Sequence, residues 1–333
     1  MNDYFHLSPK QQQMVLTQVA GKTGLPVQAV EKDLWVTIVL QLAFSLSIAN
    51  KLIFKGGTSL SKVWKVIRRF SEDIDLVVDP TIWGFEGDLT KKQIKRLRKA
   101  SSLFVRDELC QSLQKTVLEV GLDKWLNVEA DPDGEGDGTY PEPRVIHISY
   151  KSLFDYGLPY LRSEVKLEVG ARSLLEPYVK ATVKSIVEEE LPVNTTIRQV
   201  AIPTAIAEKT FLEKTFLLHE LFSSRSPKEA NHKSRHLYDL AQMMNFDIAE
   251  RAITDDELWN AIHHHRELFT SMNGVDYTPD IRRRICLLPP NDVIDHWRKD
   301  YNDMQAFMIY GTKPTFDELM AKMKDLEDRF HKR

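Results

Sequence analysis

Asp73 and Asp75 stand one residue apart in the stretch DIDLVV, inside an apolar run. Ile74, Leu76 and Val78 alternate with Asp73, Asp75 and Val77, which is the period of a β-strand. Both carboxylates then project from one face while the apolar set enters a core. Upstream, LIF at 52–54 reads as a short buried strand and Gly56-Gly57 as a sharp turn. Leu60, Val63, Trp64 and Ile67 follow the i, i+3, i+4, i+7 spacing of a helix face. The expected order across 52–78 is strand, glycine turn, helix from Ser59 to Ile67, strand.

Two carboxylates a few ångströms apart repel unless a cation sits between them. Mg²⁺ takes hard oxygen ligands and shares them readily with substrate phosphates. A third acid is offered by SEVKLEVGAR, where Val165, Leu167 and Val169 would pack inward and leave Lys166 and Glu168 on the opposite face. Asp73, Asp75 and Glu168 are therefore the candidate metal ligands. Two ions held this way would stabilise the attacking hydroxyl and the leaving pyrophosphate of an in-line displacement. A salt bridge between Glu168 and Lys166 is the plain alternative, and the choice of Glu168 over Glu164 as the third acid rests on strand phase. Gly56 and Gly57 allow close backbone approach to a ligand. Thr58 and Ser59, opening the next helix, offer hydroxyls to phosphate oxygens. The spacing is not that of a P-loop.

The 333 residues suggest two domains. VIHISY at 145–150 and VKLEV at 165–169 read as strands, and a basic helix is expected from Lys91 to about Val120. The segments 203–222, 235–250, 254–271 and 314–332 read as helices. An α/β domain is expected over 1–190 and a helical domain over 191–333. A net charge of −3 excludes a global positive field, so any nucleic-acid contact must be local. The local candidate is KKQIKRLRK at 91–99, with six basic residues and no acid; a solvated helix face is its alternative. Cys110 and Cys286 form no framework, which fits a reducing cytoplasm. The N-terminus lacks the pattern of a secretion signal. LWVTIVLQLAFSLSIAN from Leu34 carries too many polar residues for a membrane span and reads as a buried helix.

The G-G turn, short helix, D-x-D strand and distant acid resemble the polymerase-beta-like nucleotidyltransferase superfamily, a mixed-sheet α/β (α+β) fold. FKGGTSLSK followed by RFSEDIDL is closer still to the AbiEii/AbiGii toxin family, which includes the MenT toxins. EKTFLEKTFLLHE at 208–220 carries Lys209 and Lys214 in the spacing of that family's third motif, and RHLYDL at 235–240 resembles its fourth, with Asp239 as the acid. The resemblance implies nucleotide transfer from an NTP with Mg²⁺, or Mn²⁺ in its place. It also implies an RNA acceptor such as the tRNA 3′ end, a cognate antitoxin and a role in phage defence. Lys62, Lys209 and Lys214 join Gly56, Gly57, Thr58 and Ser59 as nucleotide-binding candidates. Lys209 and Lys214 lie about 140° apart on a helix, which favours one of them, Lys214. Asp239 would orient a base, activate a hydroxyl or hold Lys214. Arg235 lies one turn before it, at the spacing of an intrahelical salt bridge.

Two rival functions stay open: nucleotidylation of a protein hydroxyl, and a non-catalytic protein that binds nucleotide or RNA. Other signals are weaker. DPDGEGDGTYPE at 131–142 nearly matches a calcium loop but has Gly138 where an apolar residue belongs and no exiting helix. His263, His264 and His265 would spread around a helix, and His219, His232 and His236 lack a cysteine partner set. No hydrolase nucleophile elbow is present.

Overall fold

A computed structural model describes residues 3–333 apart from 72, 134–139, 156–161, 225–229 and 231. The chain forms two compact units, the first comprising Met1–Val63 and Ser71–Ala205, the second Trp64–Phe70 and Ile206–Arg333. The division therefore falls later than residue 190, because residues just before 206 still form sheet. A short segment ahead of the D-x-D strand also belongs with the helical unit.

The first unit holds a mixed seven-stranded sheet in the order β3-β4-β5-β2-β1-β7-β6. Its strands are β1 (Leu52–Lys55), β2 (Asp73–Val78), β3 (Leu126–Ala130), β4 (Arg144–Tyr150), β5 (Glu164–Gly170), β6 (Tyr178–Ala181) and β7 (Ile202–Ala205). β2 pairs antiparallel with β1 and parallel with β5, and β1 pairs parallel with β7. Alternation sorts the two faces: Ile74, Leu76, Val165, Leu167 and Val169 are buried, whereas Asp73, Asp75, Lys166 and Glu168 are half-buried. The helices of this unit are α1 (Asp3–His6), α2 (Pro9–Thr23), α3 (Val27–Ala43), α4 (Gly56–Lys62), α5 (Lys91–Phe104), α6 (Cys110–Glu119) and α7 (Ile186–Glu190). A single π-turn, Val105–Leu109, joins α5 to α6, so the expected long helix is nearly continuous.

The second unit is helical: α8 (Ala207–Ser223), α9 (Ser234–Met243), α10 (Ile248–Thr254), α11 (Asp256–Phe269), α12 (Ile294–Phe307) and α13 (Phe316–His331). Its core packs aromatic rings, Phe216 tilted against Trp259 with centroids 4.8 Å apart and Phe222 edge-on to Trp297 at 4.7 Å. The segment Trp64–Phe70 is sewn into this unit by backbone bonds, Phe70 N to Met308 O (2.7 Å) and Tyr310 N to Arg68 O (3.0 Å). The helix expected over 59–67 accordingly ends at Lys62, and Lys65 takes a left-handed φ of 55°.

The apolar segment near Leu34 is α3, buried on all sides in the first unit. Among the described residues no helix is long and apolar enough to cross a membrane. Several polar side chains of α3 secure neighbouring segments. Glu31 accepts from Ser152 Oγ (2.7 Å) and Leu153 N (2.8 Å), and Gln41 Oε1 accepts from Ile197 N (2.8 Å). Asp33 accepts from Ile186 N (2.7 Å) at the start of α7 and from Lys62 Nζ (2.5 Å) at the end of α4. Both partners of that ion pair are buried, so removing either leaves an uncompensated charge. Lys62→Ala is expected to cost about 3 kcal/mol in urea unfolding. Asp33→Ala should cost more, because it also strips the acceptor from the Ile186 N–H. Near-zero values for both would show that the pair anchors nothing.

Candidate active site

The parallel register of β2 and β5 sets Asp75 directly beside Glu168 and Asp73 beside Lys166. Residues opposite one another in register share a face, so Asp73, Asp75 and Glu168 all project from the half-buried side of the sheet. Glu164 lies elsewhere: its Oε1 is 3.0 Å from His147 Nδ1, and Asp131 Oδ1 is 2.9 Å from the other ring nitrogen. Burial alone would lower the His147 pKa; the bonds to Glu164 and Asp131 raise it above the ordinary value. The register thus brings Glu168 rather than Glu164 level with the aspartates.

On the other flank, antiparallel pairing sets Lys55 opposite Asp75, and Lys55 Nζ donates to Ser173 Oγ (2.7 Å). The chain then turns at Gly56 with a φ of +78°. A Cβ built on Gly56 would lie 1.9 Å from Asp75 Oδ2. Glycine is therefore required twice, once by the backbone and once by the carboxylate resting on it. Thr58 and Ser59 behave differently from the sequence expectation. Both are fully buried, Thr58 Oγ1 donating to the Asp73 carbonyl and sharing a hydrogen bond with Ser71 Oγ (2.9 Å). Ser59 Oγ donates to the Gly56 carbonyl (2.8 Å). These hydroxyls brace the turn against β2 instead of opening toward a ligand. Lys62 is likewise committed to Asp33. What the turn leaves for close approach is the backbone of the half-buried Gly56, whereas Gly57 is buried.

Among the described residues no group of three or more His, Cys, Asp or Glu side chains is drawn together closely enough to hold a metal ion, so Asp73, Asp75 and Glu168 share a face without forming a closed site. Their carboxylate oxygens are the hard donors that a divalent cation takes, together with water and substrate oxygens. Of the near-calcium loop, Glu135, Gly136 and Gly138 lie outside the described residues. Asp131 meets His147, and Asp133 pairs with Arg106 and Arg144.

The second unit carries its own charged cluster. Asp239, completely buried on α9, accepts from Arg69 Nε (2.7 Å) and Nη2 (2.8 Å) and pairs with Lys214 Nζ (3.0 Å) from α8. Burial by itself would raise the Asp239 carboxyl; Arg69 and Lys214 outweigh it and hold the group far below the usual carboxylate range. Lys214 Nζ also lies 3.1 Å from His236 Nδ1. An ammonium can only donate, so Nδ1 carries the lone pair and His236 is neutral. Its pKa is accordingly depressed, first by burial and then by Lys214. Burial lowers the Lys214 pKa as well, against the pull of Asp239. Lys209 is fully buried in the same helix. Arg69 opens RFSEDIDL, four residues ahead of Asp73, and nothing in the sequence around it marks Asp239 as its partner. The other histidines bind locally: His263 Nε2 donates to the Tyr277 carbonyl (2.9 Å), and His219 Nδ1 accepts from Cys286 N (3.1 Å).

Residues 42–322 match the family model described as nucleotidyl transferase AbiEii toxin, type IV toxin–antitoxin system. The chain belongs to this family. It is therefore a nucleotidyltransferase of a toxin–antitoxin system, with an NTP as substrate and a cognate antitoxin as partner. Among solved structures it is similar to the MenT4 nucleotidyltransferase toxin of Mycobacterium tuberculosis H37Rv. The two are 17% identical, with a TM-score of 0.48 over 97% of this chain and 98% of that one. No curated protein matches it in sequence.

Two predictions follow from this geometry. Gly56→Ala should displace Asp75 and strain the turn, destabilising the protein by about 1–3 kcal/mol and removing nucleotide transfer; thermal melts beside an activity assay test both effects. The second concerns pH. His219 is pushed down to about 4, by burial and then by Arg284, and His236 is also held neutral. The unfolded chain takes up protons on these histidines below about pH 6.5 while the native state does not, so each removes stability as pH falls. Between pH 7.5 and 5.5 His219 should account for about 1.4 kcal/mol of loss. His147, with its raised pKa, works in the opposite direction. The measurable outcome is a difference: His219→Asn should lose about 1.4 kcal/mol less than the parent protein over that interval in urea unfolding. An unchanged pH dependence would show that His219 protonates freely in the native state.

Proposed function

We propose that this chain transfers a nucleotide from an NTP to an RNA acceptor, the tRNA 3′ end being the acceptor class, in a Mg²⁺-dependent reaction in the reducing cytoplasm. One observation carries the reaction: Asp75 lies in register with Glu168 and rests against Gly56. Asp73, Asp75 and Glu168 would hold the divalent ions. A bound ion supplies Lewis-acid chemistry, favouring loss of the acceptor hydroxyl proton and neutralising charge on the triphosphate. Gly56 admits the phosphates to the backbone of the turn, and Thr58, Ser59 and Lys62 keep that turn in place. For Lys214 we propose a point charge that neutralises phosphate, with Asp239 fixing its position. Lys209 supports the same helix from within. The RNA acceptor and the role in phage defence follow the motif resemblance rather than this geometry.

The test is a labelling assay with each labelled NTP in turn, Mg²⁺ or Mn²⁺, and either total tRNA or a protein extract. Label is expected on tRNA, falling at least about 100-fold in Asp75→Asn, a loss on the scale of removing a charge-stabilising group from a reaction centre. Label on protein would move the acceptor to a protein hydroxyl. No label on any acceptor, with both metals, would leave a nucleotide- or RNA-binding protein and overturn the catalytic proposal.

A further inference from the structure

Beyond the reaction centre, the first unit presents one strongly charged surface. Lys91, Lys92, Lys95, Arg96 and Lys99 are all exposed on α5, and the helix contains no acidic residue. Their spacing, i, i+1, i+4, i+5 and i+8, places them along one side of the helix over about 12 Å. The opposite side is spent on packing. Leu97, Ser101 and Phe104 are buried there, and past the C-terminal end of the stripe Ser102 Oγ accepts from the fully buried Arg144 Nε (2.9 Å) of β4. A stripe fixed to the sheet in this way is rigid and is not an amphipathic helix awaiting a membrane.

Two features point to an anionic occupant. The first turn of α5 carries Lys91 and Lys92 and no acid, so cations sit where the helix dipole disfavours them. Thr90 and Gln93 nevertheless cap the helix reciprocally, with Thr90 N to Gln93 Oε1 at 2.9 Å, so the helix is well formed there. The stripe is also concentrated against the grain of a chain whose net charge is −3. A nucleic-acid backbone supplies what the stripe lacks: 12 Å of duplex carries about seven phosphate charges.

We infer that the Lys91–Lys99 face of α5 docks the phosphate backbone of a long, structured RNA acceptor. The inference rests on the RNA-acceptor proposal above and adds where the body of that RNA is held. α5 packs on the buried side of the sheet, the side of Arg144, Ile146 and Ile148, while Glu168 projects from the other. The stripe is therefore a docking surface and not part of the reaction centre. A structured RNA reaches both places; a short oligonucleotide occupies only the reaction centre.

The experiment replaces Lys91, Lys92, Lys95 and Lys99 together with Gln, which keeps helix propensity and touches only exposed side chains. Binding of total tRNA is followed between 50 and 200 mM salt, together with labelling of tRNA and of a short RNA ending in the same 3′ sequence. If four phosphate contacts are made, the affinity of the parent protein for tRNA should fall about 100-fold across that range. The variant should lose most of that salt dependence and its tRNA labelling, while labelling of the short RNA is unchanged. If the parent labels tRNA and the variant binds and labels it equally well, the inference is wrong and the proposed function stands. If the parent labels no RNA of either length, the RNA-acceptor proposal fails and takes the inference with it. If the variant instead keeps tRNA and loses the antitoxin, the stripe serves an acidic protein partner, which also overturns the inference.

Discussion

The first unit depends on the period-two alternation of β2. This strand lies between β5 and β1, so one face must be apolar enough to enter the core under α3. Ile74 and Leu76 meet that demand, and the same pleat that buries them sends Asp73 and Asp75 to the other side. A slip of one residue would put two carboxylates into the core and two aliphatic side chains at the site, so the fold and the site share one register. The parallel neighbour β5 repeats the pattern, and its Leu167 and Glu168 fall level with Ile74 and Asp75. Placing acids from separate strands on one face thus comes without cost in packing, since core formation already fixes that face.

The turn that precedes this strand is held by an unusual share of its own polar groups. Thr58 reaches the Asp73 carbonyl, Ser59 closes on Gly56, and Lys62 reaches α3. The hydroxyls and the lysine thus form a second layer that fixes where Gly56 lies relative to Asp75. The buried Lys62–Asp33 pair repays its desolvation only if other bonds complete it, and the Ile186 N–H on the second Asp33 oxygen does so. Rigidity at this turn matters because a displacement of a fraction of an ångström would move the Asp75 carboxylate that touches it.

Asp239 applies the same logic in the helical unit. A carboxylate with no solvent exposure is tolerable there because a bidentate guanidinium and an ammonium both meet it. The arrangement also fixes Lys214, whose burial would otherwise favour shedding its proton. The intrahelical spacing of Arg235 and Asp239 suggested a local salt bridge, but the described partners of Asp239 come from other segments, Arg69 and Lys214. Of the roles left open for Asp239, holding Lys214 is the one these bonds support.

What the sequence disclosed, and what it withheld, divides by the range of the interaction. The D-x-D strand, β4, β5 and the principal helices were legible because alternation and 3.6-residue spacing are written in consecutive residues. β3, β6 and β7 escaped because four or five residues carry too little period to stand out; β6 is largely exposed, and β7 is completely buried. The helix expected after Gly57 runs too far because Leu60, Val63, Trp64 and Ile67 do mimic one face, yet Trp64 and Ile67 belong to a different unit from Leu60. The side-chain chemistry of GGTS misled for a related reason: a hydroxyl beside a glycine turn suits a phosphate or a strand carbonyl equally, and only the proximity of the Asp73 carbonyl decides between them. Arg69 is the limiting case. Its partner lies 170 residues away, so no local pattern distinguishes it from Arg68, its neighbour. Only the fold gives Arg69 a carboxylate to hold.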